Sequence, residues 1–116
     1  GDPFLRYPVG PLDLDARDAR AVLAPPAAGS INVKLMKCGG ITEARQIANL
    51  ADAHGVGLMW GCMDESRVSI AAALHVSLAS AATRYLDLDG HLDLTDDPFD
   101  GGFVLEEGVL RPTDRP

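Results

Sequence analysis

Short apolar runs of the length of a β-strand recur along the chain from residue 31 onward. Residues 31–35 include β-branched side chains, residues 56–60 are apolar apart from one glycine, and residues 85–89 alternate apolar and acidic side chains. Runs of this length and composition predict three strands. The nearly uninterrupted second run is typical of a strand that is buried on both faces of its sheet.

Between these runs, apolar residues recur at helical spacing. Thr42 is placed to cap a helix, and Gly55 stands where a C-terminal cap belongs. The apolar face of this helix, with positions repeating at i, i+3, i+4 and i+7, comprises Ala44, Ile47, Ala48 and Ala51. Residues 67 to 82 form a second, alanine-rich helical segment. Strand, helix, strand, helix and strand in this order predict βα units around a parallel sheet, hence an α/β fold.

The two ends of the chain follow a different pattern. Residues 1–15 are rich in proline and glycine, which predicts an irregular segment, whereas one helix fits residues 16–24 before a proline pair stops it. At the other end, residues 91–94 and 103–105 predict a hairpin around an acidic, glycine-containing loop. We therefore expect an irregular segment over residues 1–15, followed by one α/β unit over residues 16–116.

Composition and charge exclude several classes of protein. The chain has 116 residues, of which 47% are hydrophobic and 23% charged, as expected for one globular domain. Its net charge of −7 disfavours binding to nucleic acid or to an anionic membrane surface. No apolar run is long enough to span a bilayer, and no signal peptide is recognisable. Two cysteines, Cys38 and Cys62, are too few for a disulfide scaffold, so we expect a cytoplasmic protein.

Candidate functional residues follow the predicted strands. In α/β folds, ligands bind at the carboxyl ends of parallel strands, where this sequence has Lys34, Asp87 and Asp89. A lysine in a buried strand is costly unless it is paired or functional, so Lys34 is either a base or a side chain that reaches solvent. Two acids two residues apart on a strand share a face and require a cation, which could be a metal, a lysine or a substrate ammonium; the alternative is a pair of solvated acids.

Three motifs in this order resemble the C-terminal part of the dipeptide epimerases. They are residues 32–41 (NVKLMKCGGI), residues 61–66 (GCMDES) and residues 87–90 (DLDG). These isomerases, of which the L-Ala-D/L-Glu epimerases are best known, belong to the mandelate racemase/muconate lactonizing enzyme group of the enolase superfamily. The resemblance, which runs almost continuously over residues 31–112, implies strands 6–8 and their helices of a modified (β/α)8 TIM barrel. A capping domain would precede the barrel, and a hairpin tail would follow.

The resemblance also implies a reaction and a set of roles. The family transfers a proton at the α-carbon of a dipeptide's C-terminal residue, while Mg²⁺ holds the adjacent carboxylate. By resemblance, Lys34 is the catalytic lysine on one face of the substrate, and Asp87 and Asp89 bind the dipeptide's ammonium group. Met63 and Asp64 match the loop beside the N-terminal residue's side chain, where an acid would favour polar or cationic dipeptides.

Other parts of the family pattern have no match in this chain. A whole barrel needs roughly 200 residues or more. The family's second base lies in a Lys-x-Lys motif that this sequence lacks, and the metal-binding acids end the third to fifth strands. Asp13 and Asp15 lie near the place of the last of these acids, but neither is in register. The resemblance therefore implies no metal ligand in this chain, and the remainder of the barrel and the capping domain as partners.

Several interpretations of the chain stay open. It is a fragment of a longer enzyme, a frameshifted sequence of one, or a short protein that has lost catalysis. Alone, we expect it to be inactive, poorly folded or self-associated as a homo-oligomer, because an isolated piece of a barrel exposes sheet edges and apolar helix faces. The alternative functions are a non-catalytic α/β binding module and a muconate cycloisomerase-like or o-succinylbenzoate synthase-like enzyme. The substrates of those two enzymes carry no α-ammonium group for Asp87 and Asp89 to bind.

Overall fold

The computed structural model describes Ala16, Ala19 and residues 30–114. A three-stranded parallel sheet with the order β1-β2-β3 forms its centre. The strands are β1 (Ser30–Val33), β2 (Gly57–Trp60) and β3 (Thr83–Leu86). The connecting helices are α1 (Leu35–Cys38), α2 (Ile41–Ala53) and α3 (Arg67–Leu78). The predicted βα order and parallel sheet are therefore confirmed. No helix in the described part is long and apolar enough to cross a membrane.

The strand register separates the sheet into two faces. Val33 pairs with Trp60, which in turn pairs with Leu86, and alternate residues of a strand point to opposite sides. On one side, buried strand residues form a single core with the apolar faces of α2 and α3. The strand residues of this core are Ile31, Val33, Leu58 and Trp60. We call this side the helix-covered face; the opposite side, the open face, carries Asn32, Met59 and Tyr85, which are half-buried or exposed.

The first connection differs from the sequence prediction at the end of β1 and at the start of α2. β1 ends at Val33 instead of residue 35, because the N–H groups of Lys37 and Cys38 donate to the carbonyl of Lys34 and start a helical turn there. α2 begins after Gly40, so the predicted cap Thr42 lies inside its first turn. The reason is a pair of glycines with positive φ, 100° at Gly39 and 118° at Gly40, that turns the chain into the helix early.

The second connection is shorter than predicted. α3 ends at Leu78 rather than near residue 82. The indole N–H of Trp60 donates to the hydroxyl of Thr83 over 2.8 Å, and that hydroxyl donates to the carbonyl of Ser77 over 2.6 Å. These two bonds tie the last turn of α3 to the start of β3, so the chain must leave the helix early to enter the sheet.

The third strand and the tail correct two further predictions. β3 spans Thr83–Leu86 and not residues 85–89, so Asp87 and Asp89 follow the strand instead of lying on it. Residues 91–94 form no hairpin strand, because Gly90–Asp93 is a 3₁₀ helix.

The hairpin of the tail joins β4 (Phe103–Glu106) and β5 (Val109–Pro112). Glu107 and Gly108, with φ of 49° and 78°, supply its two-residue turn, the geometry that suits hairpin twist. The guanidinium of Arg67 fastens this tail to α3 by donating to the carbonyl of Phe103 over 2.8 Å and stacking on its ring.

The predicted segments near the start lie mostly outside the described residues. This applies to the irregular segment over residues 1–15 and to most of the helix predicted over residues 16–24. Ala16 and Ala19 are both helical and buried in the core. The N–H of Ala16 donates to the carboxylate of Glu43 over 3.0 Å, which ties this position to the first turn of α2.

Candidate functional site

The carboxyl edge of the sheet brings Lys34 and Asp87 into one row. The N–H of Gly61 donates to the carbonyl of Val33 over 2.9 Å, and the N–H of Asp87 donates to the carbonyl of Trp60 over 2.8 Å. The sheet's hydrogen bonding thus continues one residue past each strand, so Lys34, Gly61 and Asp87 lie side by side. By strand alternation the half-buried Lys34 belongs to the open face.

Gly61 makes room for the lysine. A Cβ at Gly61 would stand 3.3 Å from Cε of Lys34 and 2.7 Å from Oδ1 of Asn32. Oδ1 of Asn32 is buried and has no hydrogen-bond partner within the described residues. Sequence reasoning did not single out Asn32, although its position two residues before Lys34 places both side chains on one face of the strand. The open face therefore presents a lysine and an amide acceptor together.

The loop after β2 exposes the two residues predicted to contact a substrate side chain. Met63 is 45% exposed, and Asp64 is exposed beside it. Beneath them, the buried carboxylate of Glu65 accepts hydrogen bonds from the N–H of Met63 over 2.8 Å and from the hydroxyl of Ser69 over 2.5 Å. Glu65 was not among the predicted site residues. An acid immediately before a helix N-terminus is the signal that could have found it.

The loops that follow β2 and β3 pack closely against each other. A Cβ at Gly90 would lie 1.9 Å from the carbonyl oxygen of Met63, so only a glycine allows the two backbones to approach this far. The thiol of Cys62 donates to the carbonyl of Asp87 over 3.3 Å and lies 3.8 Å from Oδ1 of Asp89. The structure thus brings the predicted substrate-binding residues of both loops together.

Both cysteines are packed thiols. Burial raises the pKa of the Cys62 thiol, and the neighbouring carboxylates of Asp89 and Asp87 add to this effect. Burial also raises the pKa of Cys38, whose thiol donates to the carbonyl of Leu35. A raised pKa keeps both groups protonated at neutral pH, whereas a nucleophilic cysteine acts as the thiolate.

Four exposed carboxylates lie on the segments that follow β2 and β3. They belong to Asp64, Asp87, Asp89 and Asp93. The pKa of Asp93 is raised by a hydrogen bond with the carboxyl group of Asp64 and by the negative charge of that group, with a further contribution from Asp89. Carboxylates this close to one another favour a cation in their midst. The edge of the sheet can therefore bind an ammonium or guanidinium group.

The described residues do not form a metal site by themselves. Among Ala16, Ala19 and residues 30–114, no group of three or more His, Cys, Asp or Glu side chains is arranged to hold a metal ion. The two acids considered as displaced metal ligands, Asp13 and Asp15, lie outside the described residues.

Comparison with known proteins identifies a family and several relatives of the chain. The family described as enolase C-terminal domain-like matches residues 14–116. The L-Lys-D/L-Arg epimerase of Methylococcus capsulatus is 64% identical over 104 residues, which are 89% of this chain and 29% of that protein. The L-Ala-D/L-Glu epimerase of Bacillus subtilis is 37% identical over 100 residues, which are 86% of this chain and 27% of that protein. The chain thus spans less than a third of the curated relatives it matches.

Solved structures show the same relationship. The crystal structure of the Methylococcus capsulatus dipeptide epimerase with Mg and the dipeptide L-Arg-D-Lys superposes with a TM-score of 0.84 and 62% identity, over 89% of this chain and 29% of that one. A substrate-liganded complex of the Bacillus subtilis L-Ala-D/L-Glu epimerase superposes with a TM-score of 0.81 and 36% identity, over 88% and 28% of the two chains. The expected C-terminal portion of an enolase-superfamily barrel is confirmed. This chain belongs to the enolase C-terminal domain-like family and matches the C-terminal α/β portion of its dipeptide epimerases.

Proposed function

We propose that this chain provides the C-terminal part of the active site of a dipeptide epimerase. The observation that carries the proposal is the row at the carboxyl edge of the sheet, in which Lys34 and Asp87 lie on either side of Gly61. With a base and an ammonium-binding acid in one row, the acid can hold the dipeptide's ammonium group while the base reaches the α-carbon of its C-terminal residue. The names of the related proteins supply the reaction, a change of configuration at one residue of a dipeptide.

Each predicted site residue has a role in this proposal. Nζ of Lys34 removes the α-proton from one face of the C-terminal residue or delivers a proton to that face. The carboxylates of Asp87 and Asp89 bind the dipeptide's ammonium group. Met63 and Asp64 contact the side chain of the N-terminal residue. These side chains lie at one edge of the sheet, so they can hold the substrate close to the base, as catalysis by proximity requires.

The substrates we propose are cationic dipeptides. Asp64 and Asp93 add two exposed carboxylates beside the ammonium-binding acids, so the edge as a whole repels acidic side chains and attracts basic ones. In support, relatives from Methylococcus capsulatus and Desulforapulum autotrophicum, 64% and 59% identical, are named L-Lys-D/L-Arg epimerases. An L-Ala-D/L-Glu dipeptide is the less favoured substrate on charge alone.

The remaining catalytic parts come, in this proposal, from the rest of a barrel and its capping domain. The described residues hold no metal cluster, whereas solved relatives carry Mg. A groove of about 460 Å³ beside β3, lined by apolar side chains together with Asp87, Asp89 and His91, is suited to receive such a partner. Its apolar lining includes Leu74, Leu86, Leu105, Val109 and Leu110. We expect the 116-residue chain alone to be inactive and to self-associate through this groove.

A chimera tests the proposed function. Residues 14–116 of this chain replace the matching segment of the Methylococcus capsulatus enzyme, and NMR in D₂O follows loss of the α-proton from L-Lys-L-Arg and L-Lys-D-Arg. We expect exchange from both epimers, with a higher kcat/KM than for L-Ala-L-Glu. The unmodified Methylococcus capsulatus enzyme is the control for the assay. A chimera that folds, binds Mg²⁺ and exchanges no dipeptide would contradict the proposal and favour a non-catalytic α/β module.

A further inference from the structure

Glu65 is a buried acid to which the proposed chemistry assigns no role. Among the charged residues of the described part of the chain, it is the buried one, with 5% of its surface exposed. A carboxylate in such a place is costly unless its oxygens accept hydrogen bonds. One oxygen accepts from the Met63 N–H and the other from the Ser69 hydroxyl. The side chain therefore joins the loop after β2 to the first turn of α3.

The peptide units around Met63 are held from two directions. The Met63 N–H donates to Glu65 over 2.8 Å, while the Met63 carbonyl lies against Gly90, at which a Cβ would approach to 1.9 Å. Gly90 directly follows Asp89 in the chain. The loop that exposes Met63 and Asp64 is thus fixed between a buried carboxylate and the loop that carries the ammonium-binding acids.

We propose that Glu65 is a positioning residue that sets the dipeptide preference by fixing Met63 and Asp64 above the carboxyl edge of the sheet. This inference rests on the function proposed above and specifies how one of its loops is held. Glu65 itself contacts no substrate, because its carboxylate is buried beneath the loop. Loss of its two acceptor oxygens frees the Met63 N–H, and the exposed Asp64 beside it then loses its fixed place.

Two variants of the active chimera test this role. Glu65→Met keeps the length of the side chain but removes both acceptor oxygens, whereas Glu65→Gln keeps an acceptor for the Met63 N–H and a donor for Ser69. We expect Glu65→Met to raise KM for L-Lys-L-Arg roughly tenfold with a much smaller change in kcat. Its preference for L-Lys-L-Arg over L-Ala-L-Glu should fall by a similar factor. Glu65→Gln should restore both values.

Ser69→Ala is the matched control, since it removes one partner of Glu65 and leaves the bond to Met63. We expect it to keep the parent preference. Equal losses of kcat/KM for both dipeptides in Glu65→Met, or an altered preference in Ser69→Ala, would overturn the inference. An inactive parent chimera would instead overturn the proposed function, so the two failures are distinguishable.

Hydrogen exchange provides a second measurement that does not depend on activity. In the parent chimera, the Met63 amide should exchange slowly, because its N–H is bonded to a buried carboxylate. Glu65→Asp, whose shorter side chain keeps the charge but draws the carboxylate back, should speed that exchange at least tenfold. Glu65→Asp takes the place of Glu65→Met in the test if Glu65→Met does not fold. Unchanged exchange at Met63 in a folded Glu65→Asp chimera would overturn the inference.

Discussion

The two faces of the three-stranded sheet differ in how far their side chains are buried and in how polar they are. On the helix-covered face, Leu58 and Trp60 are 0% exposed and pack with the apolar residues of α2 and α3. On the open face, Tyr85 is 50% exposed, and the polar side chains of Asn32 and Lys34 are half-buried. Residues that alternate along the same strands thus have opposite surroundings. One face stabilises the fold, and the other is free to carry chemistry.

This division explains why a lysine is tolerated at the end of a buried strand. Its neighbour Val33 points into the core, whereas Lys34 points away from it, so the lysine is not placed in an apolar interior. Gly61 keeps the adjacent position empty of side chain. The edge of the sheet therefore presents polar groups without a loss of core packing.

The largest expected effect comes from removing the base of the open face. In the chimera, Lys34→Met should reduce α-proton exchange from one epimer of Lys-Arg by about 10²–10⁴-fold, the usual contribution of a general base. Exchange from the other epimer should fall far less, because its proton leaves on the opposite face. NMR in D₂O measures both rates.

Lys37→Met is the control for this variant, since Lys37 lies three residues further along in α1 and outside the row of Lys34 and Asp87. It should leave both rates near those of the parent. Small and equal losses from the two epimers in Lys34→Met would contradict the assignment of Lys34 as the base.

Truncation of neighbouring residues in β2 compares the stability of the two faces directly. Leu58→Ala removes a buried side chain from the helix-covered face and should lower the free energy of unfolding by about 2–5 kcal/mol. Met59→Ala, on the open face of the isolated chain, should cost about 1 kcal/mol or less, because that side chain is only half-buried there. Urea unfolding of the two variants of the 116-residue chain measures the difference. Similar losses for the two variants would mean that the open face is packed as tightly as the other.

Two glycines at opposite ends of β2 sharpen the comparison further. A Cβ at Gly61 would meet the side chains of Asn32 and Lys34, so Gly61→Ala should displace the lysine and lower kcat about tenfold. At Gly57 the added Cβ meets the exposed side chain of Arg84, which lies outside the row of Lys34 and Asp87. Gly57→Ala should therefore leave kcat near the parent value. Equal kcat values for the two variants would refute the close packing of Lys34 on Gly61.

The smallest expected effect is electrostatic and concerns the carboxylates beyond the open face. Because the carboxyl group of Asp64 raises the pKa of Asp93, the folded state is favoured while Asp93 is protonated. This contribution is lost as the pH rises through the raised pKa. Asp64→Asn should return the pKa of Asp93 toward the ordinary value of an aspartate. A cationic dipeptide should also lower it, and NMR titration of Asp93 measures both shifts.

Much of the fold follows from local patterns. The apolar face of α2 at Ala44, Ile47 and Ala51 predicts both the helix and its burial, and the structure confirms them. The limits of the elements depend on contacts that local patterns do not contain. β3 ends at Leu86 although the apolar-acidic alternation continues to Asp89, because the loop after β2 meets the chain at Gly90.

The tail shows the same limit. Residues 91–94 have a strand-like composition, yet Gly90–Asp93 is a 3₁₀ helix, in which the ring of His91 packs edge-on against Phe103 at 4.9 Å between centroids. The hairpin instead turns at Glu107 and Gly108, a glycine-containing pair that the larger cluster of glycines and acids before it obscured. The contacts between Arg67 and Phe103 fix the start of the hairpin, so the turn forms at Glu107 and Gly108 and not at the earlier cluster.

Local patterns in the sequence predict the alternation of three strands with α2 and α3, the apolar face of α2, and the motifs that carry Lys34, Asp87 and Asp89, because these depend on side chains that are close along the chain. Which residues surround those motifs depends on the tertiary structure. It placed Lys34 and Asp87 on either side of Gly61, buried Glu65 beneath Met63, and set Gly90 against that loop. Such contacts join segments distant in sequence, where packing and hydrogen bonding outweigh local propensity.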